Sequence, residues 1–178
     1  MNIAIVGFGS EGRTLLSFLK KSPRYKKAAI TILDRNEALA PELKKLKVPY
    51  RLGIGYLKDV ASFDIIFRSP GIPYLTPEIQ KAAKKGVIIS SQTKLFFDEL
   101  LAARRAAKST KPVIIGVTGT KGKGTTSTLI FQMLKNAKYK AVFAGNIGKP
   151  MIKSLATAKK ADYVVLELSS FQLQDMEV

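Results

Sequence analysis

The segment VIIGVTGTKGKGTT occupies residues 113–126 and determines the architecture expected for the second half of the chain. Its first five residues form an apolar, β-branched run that predicts a strand, and residues 125–136 have the pattern of a helix. Between strand and helix lies a loop rich in glycine, threonine and lysine. A Gly-Lys pair at such a turn presents backbone N–H groups to phosphate oxygens, and the ammonium reaches the β- and γ-phosphates. The segment therefore predicts a site for a nucleoside triphosphate.

This loop departs from the G-x-x-x-x-G-K-[ST] pattern at two positions. Val117 stands where the first glycine is expected, and Gly124 replaces the hydroxyl residue that normally follows the lysine. Thr125, one residue later, is the nearest hydroxyl that could meet Mg²⁺. The density of glycine, threonine and lysine still favours phosphate binding over the alternative, a loop with a purely structural role.

Glu167 lies near the end of another apolar run, residues 163–168, which predicts a strand. A carboxylate in such a strand has a desolvation cost unless it is paired or bound to a metal. In P-loop enzymes an acidic metal ligand comes from the end of a neighbouring strand. Glu167 is therefore a candidate Mg²⁺ ligand. A structural glutamate that is satisfied within the protein is the alternative.

The N-terminus carries a second glycine loop, GFGSEG at residues 7–12, between a predicted strand at 2–6 and a helical pattern at 13–20. Asp34 follows the next predicted strand, residues 28–33. Glycines allow the backbone to approach a phosphate, which is favoured at the positive end of the helix. Three interpretations fit this loop: a dinucleotide such as NAD with Asp34 on a ribose hydroxyl, another nucleotide diphosphate, or a turn that needs glycine only for packing.

Alternation of strand and helix patterns along the chain predicts an α/β fold with parallel sheets. Further strands are expected at 64–67, 87–90 and 140–144, and further helices at 77–85, 95–107 and 150–160. A polar break before Pro112 suggests two domains. We predict a Rossmann-like domain over residues 1–91 and a P-loop-type α/β domain over residues 92–178. Three strands make a small sheet, so the second domain is expected to be the first part of a larger one.

The composition limits the chemistry that the chain can perform. It has 178 residues without cysteine or histidine, which excludes an imidazole base and Cys- or His-ligated metals within them. The net charge of +17 raises the question of nucleic acid, but the basic residues are spread over both halves, which favours a generally basic soluble surface. With no secretory signal and no apolar run of roughly 20 residues, we expect a cytoplasmic protein without membrane contact.

Together these residues resemble the Mur ligase family of ATP-dependent, amide-bond-forming enzymes. The family's nucleotide loop reads G-T-x-G-K followed by two Ser/Thr, and the GTKGK of residues 119–123 is similar to it. Three further segments resemble the D-glutamate-adding branch of the family: SPGI at 69–72, GNIG at 145–148 and LELSSFQL at 166–173. The resemblance covers essentially the whole chain. It implies a first domain that holds the UDP of a sugar substrate and a second that forms part of the ATP-binding domain.

The resemblance also implies roles for individual residues. ATP would be held by Gly119, Thr120, Lys121, Gly122, Lys123, Gly124, Thr125 and Thr126, with Lys123 and Glu167 catalytic and with Glu167 and Thr125 on Mg²⁺. The UDP-sugar would be held by Gly7, Gly9, Ser10, Glu11, Gly12, Asp34, Arg35, Ser69, Pro70 and Gly71. Asn146 and Ser169 would face the muramoyl-alanine end of this substrate or the metal shell. The Glu11 carboxylate would turn away from the diphosphate, or Glu11 would bind through its N–H only.

By the same resemblance, the reaction adds D-glutamate to UDP-N-acetylmuramoyl-L-alanine through an acyl phosphate, in peptidoglycan precursor synthesis. The chain by itself is expected to be inactive, because further domains of the family would be missing. Three alternatives stay open: a folylpolyglutamate synthase or another Mur ligase, which Gly124 favours; a non-enzymatic nucleotide-sensing module; and a nucleic-acid-binding protein, based on charge alone. The sequence does not indicate an oligomeric state.

Overall fold

A computed structural model of the chain describes residues 1–145 and 150–176. The chain divides into two compact units, Met1–Gln92 and Thr93–Val178. In both units parallel strands alternate with helices, which confirms the predicted α/β class. No helix in the described part of the chain is long and apolar enough to cross a membrane.

The first unit contains one parallel sheet of five strands. These are β1 (Asn2–Val6), β2 (Ala29–Asp34), β3 (Tyr50–Leu52), β4 (Ile65–Arg68) and β5 (Ile88–Ser90). Its helices are α1 (Ser10–Lys21), α2 (Ala40–Lys45) and α3 (Pro77–Lys84), with short 3₁₀ turns at Glu37–Leu39 and Val60–Ser62. The spatial order of the strands is β3-β2-β1-β4-β5. The central strand β1 is fully buried from Ile3 to Val6, as expected for a parallel strand covered on both faces.

The strand order changes direction between β1 and β4. From β1 the chain builds β2 and β3 on one side, then returns to place β4 and β5 on the other. Val6 pairs with Arg68, so the carboxyl ends of the two strands lie side by side. In open α/β sheets the crevice beyond such a switch point is the usual place for a ligand. The loops that follow β1 and β4 are therefore the positions of interest in this unit.

The second unit contains a smaller parallel sheet. Its strands are β6 (Val113–Val117), β7 (Ala141–Gly145) and β8 (Tyr163–Glu167), in the order β6-β8-β7. Its helices are α4 (Gln92–Ala106, whose first residue belongs to the first unit), α5 (Lys123–Asn136), α6 (Leu155–Ala158) and α7 (Ser170–Leu173). The central strand β8 pairs with both neighbours in register, and Glu167 lies opposite Val117 and Gly145.

Several details differ from the sequence-based expectation, and the short helices α2 and α7 were not predicted. The continuous helix predicted at 150–160 is a 3₁₀ turn, Met151–Ser154, followed by the single turn α6. Its apolar residues Met151, Ile152, Leu155 and Ala158 are all buried, and either kind of helical turn can present them to the core. The strand β3 was not predicted, because three residues, Tyr50–Leu52, are too short a run to give a periodic signal.

Candidate functional site

The first glycine loop is held in place from both neighbouring strands. Gly7 has φ of +91°, a conformation that favours glycine. Its N–H donates to the Leu33 carbonyl at 2.8 Å, and its carbonyl accepts from Ser69 Oγ at 2.9 Å. The Ser69 N–H in turn donates to the Val6 carbonyl at 2.9 Å. Ser69 of the SPGI segment therefore joins the loop after β4 to the loop after β1.

The two later glycines of this loop serve different purposes. A Cβ at Gly12 would overlap the backbone carbonyl oxygen of Gly7, so glycine is required for α1 to pack against the loop. A Cβ at Gly9 would meet nothing within 4 Å. Gly9 is the N-cap of α1, and no side chain of the described residues caps that helix. The first-turn N–H groups, beginning at Ser10, are thus accessible from the open side of Gly9, which is the geometry of a phosphate site.

Asp34 shapes the same loop through its backbone contacts. Its Oδ2 accepts from the Phe8 N–H at 2.6 Å, and its Oδ1 accepts from the Asn36 N–H at 2.8 Å. Both carboxylate oxygens therefore already have strong donors. A ribose hydroxyl at Asp34 would have to share these oxygens with the backbone. Arg35, beside it, is exposed.

Two polar residues that the sequence analysis did not select lie beside Glu11. Arg68 is 1% exposed and Gln92 is 3% exposed, and with Glu11, Gly12 and Ser69 they line a cavity of about 10 Å³. Gln92 Nε2 donates to the Glu11 carbonyl at 2.9 Å. This volume matches a single water molecule. Arg68 could have been identified from sequence, since it is a charged residue at the end of an apolar strand, as Asp34 and Glu167 are.

The second glycine loop leads into α5 through glycines in unusual conformations. Gly119 has φ of +149°, and Gly122, the N-cap of α5, has φ of +78°. The helix begins at Lys123, two residues before the predicted start, so this half-buried lysine belongs to the first turn. Ser127 Oγ donates to the Lys123 carbonyl at 2.7 Å and fixes that turn. Backbone N–H groups and a lysine thus converge at the N-terminal end of a 14-residue helix.

Glu167 ends β8 at the carboxyl edge of the same sheet, beside this loop. Its side chain is 7% exposed, and Oε2 is buried without a hydrogen-bond partner among residues 1–145 and 150–176. A Cβ at Gly124 would lie 3.4 Å from Oε2, so the start of α5 and the carboxylate are in contact distance. Burying a carboxylate oxygen without a hydrogen-bond donor destabilises the protein unless a cation or a ligand binds to that oxygen. The arrangement fits a divalent cation at Oε2.

Comparison with known proteins finds a family match for each half of the chain. Residues 1–91 match the family described as Mur ligase MurD-like, N-terminal domain, and residues 117–178 match the Mur ligase middle domain. The chain belongs to the Mur ligase family. The two matches fall on the two compact units, and each contains one of the glycine loops.

Several curated proteins named UDP-N-acetylmuramoylalanine--D-glutamate ligase are similar to this Mur ligase chain. The protein of Acetivibrio thermocellus is 39% identical and covers 98% of this chain, and that of Symbiobacterium thermophilum is 39% identical and covers 96%. The matched regions are 35% and 36% of those proteins, so the chain spans about a third of their length. Among solved structures, a murein peptide ligase from Psychrobacter arcticus aligns with a TM-score of 0.42 at 19% identity, over 94% of this chain and 37% of that one.

Four further residues that the sequence analysis assigned to the site remain to be placed: Thr125, Thr126, Asn146 and Ser169. Thr125 and Thr126 are exposed, and no hydrogen bond within the described part of the chain joins Thr125 to Glu167. Ser169 caps α7: its Oγ accepts from the Gln172 N–H at 3.3 Å, and its N–H donates to Gln172 Oε1 at 2.9 Å. Asn146 lies outside the described residues. Within residues 1–145 and 150–176 no group of three acidic side chains could hold a metal alone.

Proposed function

We propose that this chain provides the UDP-sugar-binding domain and part of the ATP-binding domain of a cytoplasmic ligase that adds D-glutamate to UDP-N-acetylmuramoyl-L-alanine. The observation that carries the proposal is the 39% identity, over 98% of the chain, to a protein named for that reaction. Two glycine loops at the carboxyl edges of parallel sheets, each leading into a helix N-terminus, supply the phosphate sites that such a reaction requires.

The first unit binds the UDP-sugar at the switch point between β1 and β4. Its diphosphate lies against the N–H groups of Ser10 and Glu11, on the open side of Gly9. Ser69, Pro70 and Gly71 form the other wall of this site. The hydrogen bond from Ser69 Oγ to the Gly7 carbonyl holds the loop after β4 beside the loop after β1. The positive end of α1 favours the diphosphate charge. Glu11 lines the small cavity together with Arg68 and Gln92, and we assign only its N–H to the ligand.

The second unit binds ATP on the loop from Gly119 to Thr126. Backbone N–H groups at the start of α5 hold the phosphates, and the Lys123 ammonium neutralises charge on the transferring phosphoryl group. The substrate carboxylate attacks the γ-phosphorus, the bond to ADP breaks, and an acyl phosphate forms. The amine of D-glutamate attacks the acyl carbon, loses a proton and expels phosphate, which leaves the amide.

Glu167 is the residue of this chain that would hold Mg²⁺. Its Oε2, which has no hydrogen-bond partner among residues 1–145 and 150–176, would be a suitable hard oxygen ligand. When bound, Mg²⁺ would supply positive charge beside the triphosphate. Thr125 is the hydroxyl that we assign to the same cation.

A chimera tests this function directly. The chain replaces the aligned third of the Acetivibrio thermocellus ligase, and phosphate release is measured with both UDP-N-acetylmuramoyl-L-alanine and D-glutamate present. We expect release that depends on both substrates and that falls by at least about a hundredfold in Lys123→Ala, as for loss of one electrostatic donor. The matched control Lys153→Ala removes an exposed lysine outside the loop and retains activity. A chimera that needs neither amino-acid nor sugar substrate, or a Lys123→Ala variant with a tenth or more of the parent kcat, would refute the assignment.

A further inference from the structure

A second basic site lies at the opposite edge of the second unit's sheet. A concavity of about 270 Å³ opens beside the first residues of the strands, next to the C-terminal end of α4. Its lining includes five cationic side chains and one carboxylate, with Ala103, Ala107 and Ala161 between them: Arg104, Lys111, Lys140, Lys159, Lys160 and Asp162. The strands are five residues long, so this basic concavity lies roughly 15 Å from the glycine loop at their other ends.

The acidic groups near the basic concavity are already neutralised. Asp162 Oδ1 accepts from the Lys111 ammonium at 2.6 Å, and Oδ2 accepts from the Lys140 N–H at 2.9 Å. Glu99 accepts from the Lys159 ammonium at 2.7 Å. Lys111 and Lys159 therefore each have an anionic partner.

Three other cationic side chains line the basic concavity. No ion pair among residues 1–145 and 150–176 engages the side chains of Arg104, Lys140 or Lys160. Cations near helix C-termini are favoured by the helix dipole, which accounts for Arg104 in the last turn of α4. It does not account for Lys140, which precedes β7. The basic concavity therefore has an excess of positive charge that no acidic side chain of the described residues neutralises.

We propose that the basic concavity binds a small anion carrying two or three linked phosphate groups. Its volume is just below the 300–1,000 Å³ of pockets that hold drug-sized ligands, which suits a diphosphate or triphosphate group. Guanidinium and ammonium donors on several sides match the many acceptor oxygens of such an anion. A concave shape closed on one side by α4 favours a compact ligand over a polynucleotide or a membrane surface, both of which need an extended face.

Calorimetric titration of the 178-residue chain with pyrophosphate and with tripolyphosphate tests the proposal. All proteins carry both Gly9→Ala and Lys123→Ala, so that neither glycine loop contributes much to phosphate binding. The site variant is Arg104→Gln/Lys160→Gln, and the charge-matched control is Lys44→Gln/Lys45→Gln, on the exposed surface of α2. A second variant, Asp162→Asn, removes the negative charge while its side-chain oxygen can still accept from the Lys140 N–H.

We expect binding that persists at 150 mM salt, weakens at least about tenfold in Arg104→Gln/Lys160→Gln, and changes less than about twofold in the control. Asp162→Asn should strengthen binding by about two- to fivefold, because one repulsive charge is lost. Equal weakening in site and control variants, no gain in Asp162→Asn, or binding only to an oligonucleotide or to anionic lipid vesicles would overturn the proposal. Absence of pyrophosphate and tripolyphosphate binding at 50 mM salt would overturn it as well.

Discussion

A Cβ on Gly124 would lie 3.4 Å from Oε2 of Glu167, a distance of ordinary van der Waals contact. The first turn of α5 and the end of β8 therefore meet at a position where this chain has no side chain. The carboxylate oxygen facing that position has no hydrogen-bond donor among residues 1–145 and 150–176. Many phosphate loops carry Ser or Thr at the position of Gly124. Because glycine has no hydroxyl, Glu167 Oε2 lacks the donor that such a side chain could provide.

Gly124→Ser should stabilise the free protein more than Gly124→Ala. Either substitution removes a glycine from a helix, which is worth about 0.5–1 kcal/mol. The serine hydroxyl can also donate to Glu167 Oε2, which adds about 1 kcal/mol by satisfying a buried acceptor. Urea denaturation without nucleotide measures both free energies of unfolding. A serine variant no more stable than the alanine variant would show that Oε2 gains no donor from position 124.

Alanine substitutions at Gly9 and Gly12 should have different effects: Gly12→Ala should lower stability, whereas Gly9→Ala should lower ligand affinity. Gly12→Ala places a methyl group on the Gly7 carbonyl oxygen and should cost about 2 kcal/mol or more, as for overpacking. Gly9→Ala meets nothing within 4 Å and should change the free energy of unfolding by no more than about 0.5 kcal/mol.

The same Gly9→Ala methyl group points into the space proposed for the diphosphate. Affinity for UDP-N-acetylmuramoyl-L-alanine, measured by titration, should therefore fall at least about tenfold. If Gly9→Ala binds as tightly as the wild type, the diphosphate is not held at the start of α1.

Asp34→Ala should destabilise the first unit even without ligand. It removes the acceptor of the Phe8 and Asn36 N–H groups, and we expect a loss of about 2 kcal/mol. The control Asp98→Ala removes an exposed carboxylate whose ion pair with Lys94, at 4.0 Å, is worth about 0.5 kcal/mol or less. Thermal or urea unfolding compares the two. Similar losses in both variants would mean that Asp34 does not hold the loop.

The ion pair between Arg13 and Glu42 predicts a stability change in acid. Two hydrogen bonds from the guanidinium, at 2.7 and 2.6 Å, lower the pKa of Glu42 from its ordinary value of 4.5. The folded state then binds this proton less readily than the unfolded state. The contribution of the pair is therefore complete above about pH 4.5 and is lost as the pH falls through the lowered pKa.

Comparison of the wild type with Glu42→Gln measures this contribution. Urea midpoints should differ at pH 7 and converge once the pH has fallen through the lowered pKa of Glu42. Glu78→Gln changes an exposed carboxylate without an ion pair in the described part of the chain, and it should give a small difference at every pH. A difference between wild type and Glu42→Gln that grows on acidification would contradict the assignment.

The sequence predicted the parts of this molecule that depend on local patterns. Continuous apolar runs located β1 and β6 to the residue, because strands of parallel sheets are rich in such runs. The glycine loops were identifiable because few other sequences form a strand-to-helix turn open to phosphate.

Features that depend on contacts between residues far apart in the sequence could not be predicted from local patterns. The bond from Ser69 Oγ to the Gly7 carbonyl joins positions 62 residues apart. The same holds for the burial of Gln92 beside Glu11 and for the basic concavity, whose lining spans residues from Ala103 to Asp162. The apolar run at residues 113–117 predicted the strand β6 but not its place at the edge of the sheet, where Val113 is 42% exposed.

Titration of the purified chain with UDP-N-acetylmuramoyl-L-alanine, with NADH as the competing ligand, decides whether the first unit is a UDP-sugar-binding domain. The first unit has its own sheet, its own core and both walls of the proposed site. We predict one binding site for the UDP-sugar, weakened by Gly9→Ala and unaffected by NADH. Binding of NADH, with no binding of the UDP-sugar, would contradict the account, because the first glycine loop would then be a dinucleotide site.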